Sequence, residues 1–510
     1  MNADHQQRRG STHANPCRLC AERRRIASVR LKSVKLRTIT EPLANSFVCA
    51  GLAVLLAAIS YGQVNPAAAF DTQTARGVIT QVTTLDDPQQ SYALYLPSNY
   101  SADRRWPMLY AFDPFARGKI AVEDYRAAAE KFGYIVAGSN NAQNGPMGPE
   151  LEAAKAMWND THRRLPIDPK RTYTTGLSGG ARLATFLALD CNSCGIAGVI
   201  AQGATYPIGE KPPANNHFLY YVTIGDADFN LPEVVALRKK KEEEGAAYKI
   251  NVFPGTHAWA PPEVTADALA WLDLKAMQAA TEKVDPVFVQ QQFDAAKAAL
   301  AQAERRGDAM AEFYALHSLA NDFSGLKDVA QFAAQLAQLK NSKAWRAALR
   351  NEQHDVEEQA SLTATAAGEL AQLGSDPQSD SGALDHIASV FADLRKRSHS
   401  GGKDQLVSSR AFLQLWIQGL EAGQDAFRNH DFTRAAMYFQ LMADADPDKA
   451  FPLISLAEAQ ARAGNKKAAL KALEQAKQRG LKDPHALAQD PDLESLTSDP
   501  EFQRLTQPGP

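Results

Sequence analysis

Gly176-Leu177-Ser178-Gly179-Gly180 decides the fold. The five residues follow Arg171 to Thr175, a short β-rich run, and lead into Gly179 to Leu189, whose apolar spacing predicts a helix. Between a strand and a helix, a G-x-S-x-G turn is too sharp to admit side chains at 176 and 180. It lifts a strained Ser178 above the sheet edge and turns the Gly179 N–H toward any oxyanion that develops there. The bare pattern is common in loops, and the strand–turn–helix setting gives it meaning.

Working outward, Gly77 to about Gln278 alternates short apolar runs with helical ones. Gly77–Leu85, Ser91–Leu96, Pro107–Phe112, Tyr134–Ser139, Ile196–Gln202, His217–Ile224 and Tyr248–Phe253 are predicted strands; Val122–Phe132 and Glu150–Arg164 are predicted helices. This alternation predicts an α/β architecture, a doubly wound and mostly parallel sheet covered on both faces. In such sheets the chemistry collects on loops at the carboxyl ends of strands.

A nucleophilic serine in this setting needs an acid and then a histidine, in that chain order. Two histidines lie between Ser178 and Asp285. His217 precedes the candidate acids and is taken as structural. His257, in Gly255-Thr256-His257-Ala258-Trp259, follows the last predicted strand, where the general base belongs. Gly225-Asp226-Ala227-Asp228 supplies two carboxylates. Asp228 fits the usual spacing beyond the glycine, with Asp226 as the other choice. The second oxyanion donor is expected on Asp113 to Gly118; Pro114 has no N–H, so Phe115 or a neighbour must donate. Arg117 is expected as a solvated side chain or as a contact for an anionic substrate group. Trp259 is expected either to wall the substrate pocket or to pack into the core. The short stretches 203–217 and 225–248 leave no room for a large cap, so an open site is expected.

Residues 71–280 resemble the α/β-hydrolase superfamily, especially compact esterases similar to polyhydroxybutyrate depolymerase and feruloyl esterase. The resemblance rests on Tyr92-Ala93-Leu94-Tyr95-Leu96-Pro97, the serine turn, Gly225-x-x-Asp228 and His257-x-Trp259. It implies ester hydrolysis through an acyl-enzyme, with Ser178, His257 and Asp228 catalytic, Gly179 and Phe115 at the oxyanion, and no metal or organic cofactor. It covers under half of the chain and specifies no small-molecule or polymeric substrate. A hydrolase fold kept only for binding, and a serine peptidase, are the competing readings.

After Asp285 the pattern turns helical. Val287–Ala303, Ala309–Asp322, Leu326–Leu339 and Ala344–Gln359 show apolar spacing of the helical kind. Gly374–Gly382 and Ser398–Gly402 are predicted loops. His430-Asp431-Phe432-x-x-Ala435-x-x-x-Phe439 matches Gly464-Asn465-Lys466-x-x-Ala469-x-x-x-Leu473 at an offset of 34 residues, the period of tetratricopeptide repeats. The expected organisation is a targeting segment over 1–69, a hydrolase domain over 70–280, a helical region over 285–400 and tetratricopeptide-like repeats over 405–510. Such repeats present a concave surface, so a protein partner is expected there.

The chain has 510 residues and a net charge of −3, unevenly spread. Ten of its 55 basic residues and three of its 58 acidic ones lie in residues 1–69, so the remainder is acidic and has no electrostatic footprint for nucleic acid. Within 1–69 a basic stretch precedes an apolar run from Phe47 to Tyr61, followed by Ala67-Ala68-Ala69. That is the pattern of a secretory signal, so export is expected, with an uncleaved anchor over 47–61 as the alternative. Cys17-x-x-Cys20 lacks the further ligands that zinc requires. Cys191 and Cys194 are close enough in sequence for a local disulfide in an oxidising compartment. The charge runs Lys239-Lys240-Lys241 and Glu242-Glu243-Glu244 are expected on a solvated helix face.

Overall fold

The strands β1 (Ile79–Thr83), β2 (Ser91–Tyr95), β3 (Trp106–Phe112), β4 (Ile135–Ser139), β5 (Ile167–Leu177), β6 (Ile196–Gln202), β7 (Leu219–Gly225) and β8 (Lys249–Phe253) form one sheet in the order β1-β2-β4-β3-β5-β6-β7-β8. From β4 to β8 every neighbouring pair is parallel, while β2 joins β4 antiparallel, with Tyr92 opposite Ser139. The computed structural model describes residues 75–190, 194–210, 217–244, 247–374, 377–481 and 483–507. The targeting segment over 1–69, with Cys17, Cys20 and Cys49, lies outside the described residues, and so does Cys191; Cys194 is half of a disulfide.

Side chains alternate across a strand, and the core follows that period. Tyr92, Leu94, Met108 and Tyr110 join one apolar cluster; Ala93, Tyr95, Leu109 and Ala111 join another on the opposite face. The helices α1 (Gly118–Phe132), α2 (Met147–Arg164), α3 (Gly179–Asp190), α4 (Leu231–Glu244) and α5 (Pro262–Gln278) cover both faces. Met157, Ala184 and Val234 of α2, α3 and α4 enter the first cluster, and Tyr125 and Leu269 of α1 and α5 the second.

The helical half comprises α6 (Pro286–Arg306), α7 (Ala309–Asp322), α8 (Ala330–Lys340), α9 (Lys343–Gln372), α10 (Pro377–Ser398), α11 (Lys403–Arg428), α12 (Phe432–Ala445), α13 (Phe451–Arg462), α14 (Lys466–Gln478) and α15 (Pro500–Thr506). Several starts are written in the sequence as side-chain caps. Asp285, Asp308, Ser342 and Asp431 each accept a bond from the first turn of their helix. Two expectations need correction. The helix predicted over Ala344–Gln359 continues to Gln372, because Thr363, Ala366 and Leu370 extend its buried face. The loop predicted over Gly374–Gly382 is shorter, because α10 starts at Pro377, where proline costs no helical hydrogen bond. One long helix therefore ties two apolar clusters together: Trp345 belongs to that of α6–α8, and Ala366 and Leu370 to that of α10–α15.

The two halves are joined through buried polar contacts. Asp322, ending α7, accepts bonds from Trp271 Nε1 at 2.7 Å and Lys249 Nζ at 3.2 Å. Burial alone would raise its carboxyl; Lys249 and Lys275 hold it below the usual carboxylate range. Arg238 on α4 bonds Glu352 on α9. The charge runs ending α4 are not simply solvated: Lys241 is fully buried, and Glu242 pairs with Arg238 at 3.0 Å and with Lys340 on α8 at 3.3 Å.

Candidate active site

Ser178 stands alone between the end of β5 and the start of α3, with its backbone at φ +55°. That is the left-handed region, costly for a residue with a side chain and held only when its surroundings leave no alternative. The surroundings do so here. A Cβ at Gly176 would lie 2.3 Å from the Gly180 carbonyl, and one at Gly180 would lie 2.0 Å from Phe112 O on β3. Ser178 N donates to Gln202 O at 2.9 Å, and its own carbonyl accepts from Ala181 N and Arg182 N. The serine is half-buried.

Asp228 and His257 come from the loops after β7 and β8. His257 Nδ1 lies 2.8 Å from Asp228 Oδ2, and Asn230 N donates to Asp228 Oδ1 at 2.9 Å. Asp228 is fully buried. A carboxylate on Nδ1 fixes the tautomer that carries hydrogen there and leaves Nε2 as the acceptor. The Phe229 ring lies against the imidazole at 4.5 Å between centroids. Gly203, after β6, links this pair to the serine turn: a Cβ there would lie 3.1 Å from Asp228 Oδ2, from His257 Cε1 and from Leu177 Cδ1. Asp226 has a different task, for its Oδ1 accepts from Gly255 N at 3.0 Å and so braces the β8 loop. His217 is exposed and lies against Phe218.

Gly179, as the first residue of α3, has no intrahelical acceptor for its N–H. Phe115, expected as the second donor, has its N–H already engaged. Phe115 N donates to Asp113 Oδ1 at 2.9 Å, and Ala116 N to Asp113 O at 3.1 Å, so the turn consumes both. Arg117 is likewise engaged, with Nε and Nη2 on the buried Asp113 carboxylate at 2.8 and 3.0 Å. Trp259 also serves this group: its Nε1 donates to Asp113 Oδ2 at 2.9 Å, and its ring meets Tyr125 edge-on. It is a brace between two loops.

The polar group placed over the serine turn is one that the sequence did not single out. Asn144, after β4, lies so close that a Cβ at Gly179 would stand 1.9 Å from its Oδ1 and 2.9 Å from its Nδ2. Its backbone N donates to Pro114 O at 2.9 Å, which anchors it to the β3 loop. Only tertiary contact could have revealed it. The helical half also reaches the site. Gln359 Nε2 on α9 donates to Phe229 O at 2.9 Å, Arg410 Nη1 on α11 donates to Asp226 O at 3.0 Å, and Glu421 on α11 interacts electrostatically with His257 and Arg182.

This chain has an α/β-hydrolase fold. A serine turn after the central strand β5 and loops carrying Asp228 and His257 at the sheet's carboxyl edge follow that architecture. No family model matches the sequence, and no curated protein does. Similar solved structures include apo S-formylglutathione hydrolase from Staphylococcus aureus, at TM-score 0.32 and 13% identity over 38% of this chain and 96% of that one. They also include a ferulic acid esterase at TM-score 0.32 and 14% identity, over 38% and 96%, and an esterase of Pyrobaculum calidifontis at TM-score 0.32 and 13% identity, over 39% and 85%.

Proposed function

We propose that the chain is an exported serine hydrolase, a carboxylic ester hydrolase that works through an acyl-enzyme on Ser178. One observation supports this reading: the His257–Asp228 pair, closed at 2.8 Å, lies across Gly203 from Leu177, the neighbour of a serine held at φ +55°. Ser178 Oγ attacks the ester carbonyl as His257 Nε2 takes its proton. Asp228 orients the ring and stabilises the imidazolium. The Gly179 N–H faces the developing oxyanion, and Asn144 Nδ2 is the second donor. His257 then gives its proton to the leaving alcohol. Water, deprotonated by the same nitrogen, splits the acyl-enzyme and releases the acid. Ester rather than amide cleavage rests on the sequence resemblance.

The basic stretch and apolar run within 1–69 support export, with anchoring by 47–61 as the variant of that reading. Among the described residues no helix is long and apolar enough to cross a membrane. Residues 405–510 are taken as a tetratricopeptide-like, partner-binding array. Ala435 and Ala469, 34 residues apart, are both fully buried between packed helices, which supports this.

Fluorophosphonate labelling of the purified chain tests the core of the proposal. Wild type labels, Ser178→Ala does not, and His257→Ala labels far more slowly. A panel of short-chain aryl esters and aminoacyl amides then separates esterase from peptidase. A folded wild type that takes no label overturns the hydrolase reading.

A further inference from the structure

Behind the acid loop lies a cavity of about 850 Å³ that contains neither Ser178 nor His257. It is bounded by β8 and α4 on one side and by α6, α7, α9 and α11 on the other. Its origin is legible in residue size. Facing positions of three helices are small: Ala295, Ala296 and Ala299 on α6, Ala311 and Ala315 on α7, and Ala348 on α9. Leucines there would close the gap; alanines leave a space in the size range of small-molecule sites.

One end of this space is polar and unsatisfied. Arg410 is buried, with 4% of its surface exposed, and lines the cavity. Among the described residues its one side-chain hydrogen bond is Nη1 to Asp226 O, its Nε has no partner, and it makes no ion pair. Gln359 Oε1, also on the cavity wall, is likewise buried and unpartnered. The acidic side chains nearby are occupied: Asp226 takes Gly255 N, Glu352 takes Arg238, and Asp308 caps α7. Asp355, Asp226 and Glu358 all attract Arg410, none of them in an ion pair with it. A buried guanidinium with no counter-ion in contact is costly, and the open space before it is where one fits.

We propose that this cavity is a second ligand site, which binds an amphipathic monocarboxylate with its head on Arg410 and its apolar body along the alanine-lined faces of α6, α7 and α9. The site is independent of hydrolysis, but it adjoins the catalytic acid, because Arg410 and Gln359 hold the carbonyls of Asp226 and Phe229 on either side of Asp228. Nothing about the cavity requires that Ser178 react.

The test is calorimetric titration of Ser178→Ala protein, full length, with decanoate below its micelle concentration. Using the serine variant separates this site from the hydrolase reading, since neither turnover nor its absence affects the result. Decanoate should bind one per chain, and decyltrimethylammonium should not bind. Arg410→Met should weaken decanoate by about ten- to a hundred-fold, the usual worth of a charge-assisted contact. Ala348→Phe, which keeps Arg410 and fills the space, should abolish binding and covers the case in which Arg410→Met does not fold. No binding to folded protein at millimolar decanoate, equal binding of the cationic amphiphile, or full affinity in folded Ala348→Phe would each overturn the proposal.

Discussion

The loop after β3 and the loop after β7 each place a buried aspartate at the carboxyl edge of the sheet, and the two differ only in what they hold. Asp113 gives its oxygens to Arg117, Trp259 Nε1 and Phe115 N. Asp228 gives one oxygen to Asn230 N and the other to His257. A permanently charged guanidinium and an indole make Asp113 a clamp, because neither partner can pass a proton on. In the proposed mechanism an imidazole makes Asp228 part of a proton-transfer pair. The short segment 257–259 bridges both, with His257 on one carboxylate and Trp259 on the other. The same buried residue type thus becomes scaffold or chemistry according to the acid–base character of its partner.

The largest effect expected from this contrast is in Asp228→Asn. Its kcat should fall about a thousand- to ten-thousand-fold, the usual loss when a carboxylate behind a catalytic histidine becomes an amide. Its thermal midpoint should move little. Ester turnover within ten-fold of wild type would place the acid elsewhere. Asp113→Ala should do the opposite. It strands an indole N–H, a backbone N–H and an arginine, so stability should drop by about 3 kcal/mol in denaturant titration while kcat changes less than ten-fold at low temperature. If the two variants gave similar profiles, the distinction between clamp and proton-transfer pair would be lost.

A pH-dependent effect comes from Asp124 on α1, near Gln202. Burial pushes its carboxyl up to about 7, with the nearby Gln202 amide opposing. The folded chain therefore binds this proton more tightly than the unfolded chain, whose carboxyl titrates near 4. The cost is absent below pH 4, grows from pH 4 to 7 and is complete above 7. Asp124→Asn, always neutral, should match wild type in melts at pH 4 and exceed it at pH 8 by about 4 kcal/mol. The smallest change belongs to Arg117→Ala. Its side chain is 45% exposed, so the variant should cost at most about 1 kcal/mol and leave turnover untouched. A large loss of activity toward anionic esters alone would reassign Arg117 to substrate binding.

Some misreadings have local causes. Phe115 was expected to donate to an oxyanion, yet Asp113-Pro114-Phe115 is a segment in which the Asp side chain can take the N–H two residues on. That signal was in the sequence. The choice between Asp226 and Asp228 was not, because it depends on where Gly255 N comes to rest in the loop after the neighbouring strand β8. Asn144 likewise has no mark in the sequence; it matters because β4 and β3 are neighbours in the sheet and bring it onto Gly179.

By itself the sequence determined whatever depends on near neighbours along the chain. The glycines flanking Ser178, the alternation of strand and helix, the side-chain caps and the 34-residue echo all follow from backbone sterics and residue periodicity. Tertiary structure alone decided which carboxylate meets His257, which side chain covers the serine turn, and that small residues on three helices leave Arg410 facing an empty space. Those outcomes depend on distances between segments far apart in sequence, fixed only when the sheet and helices pack.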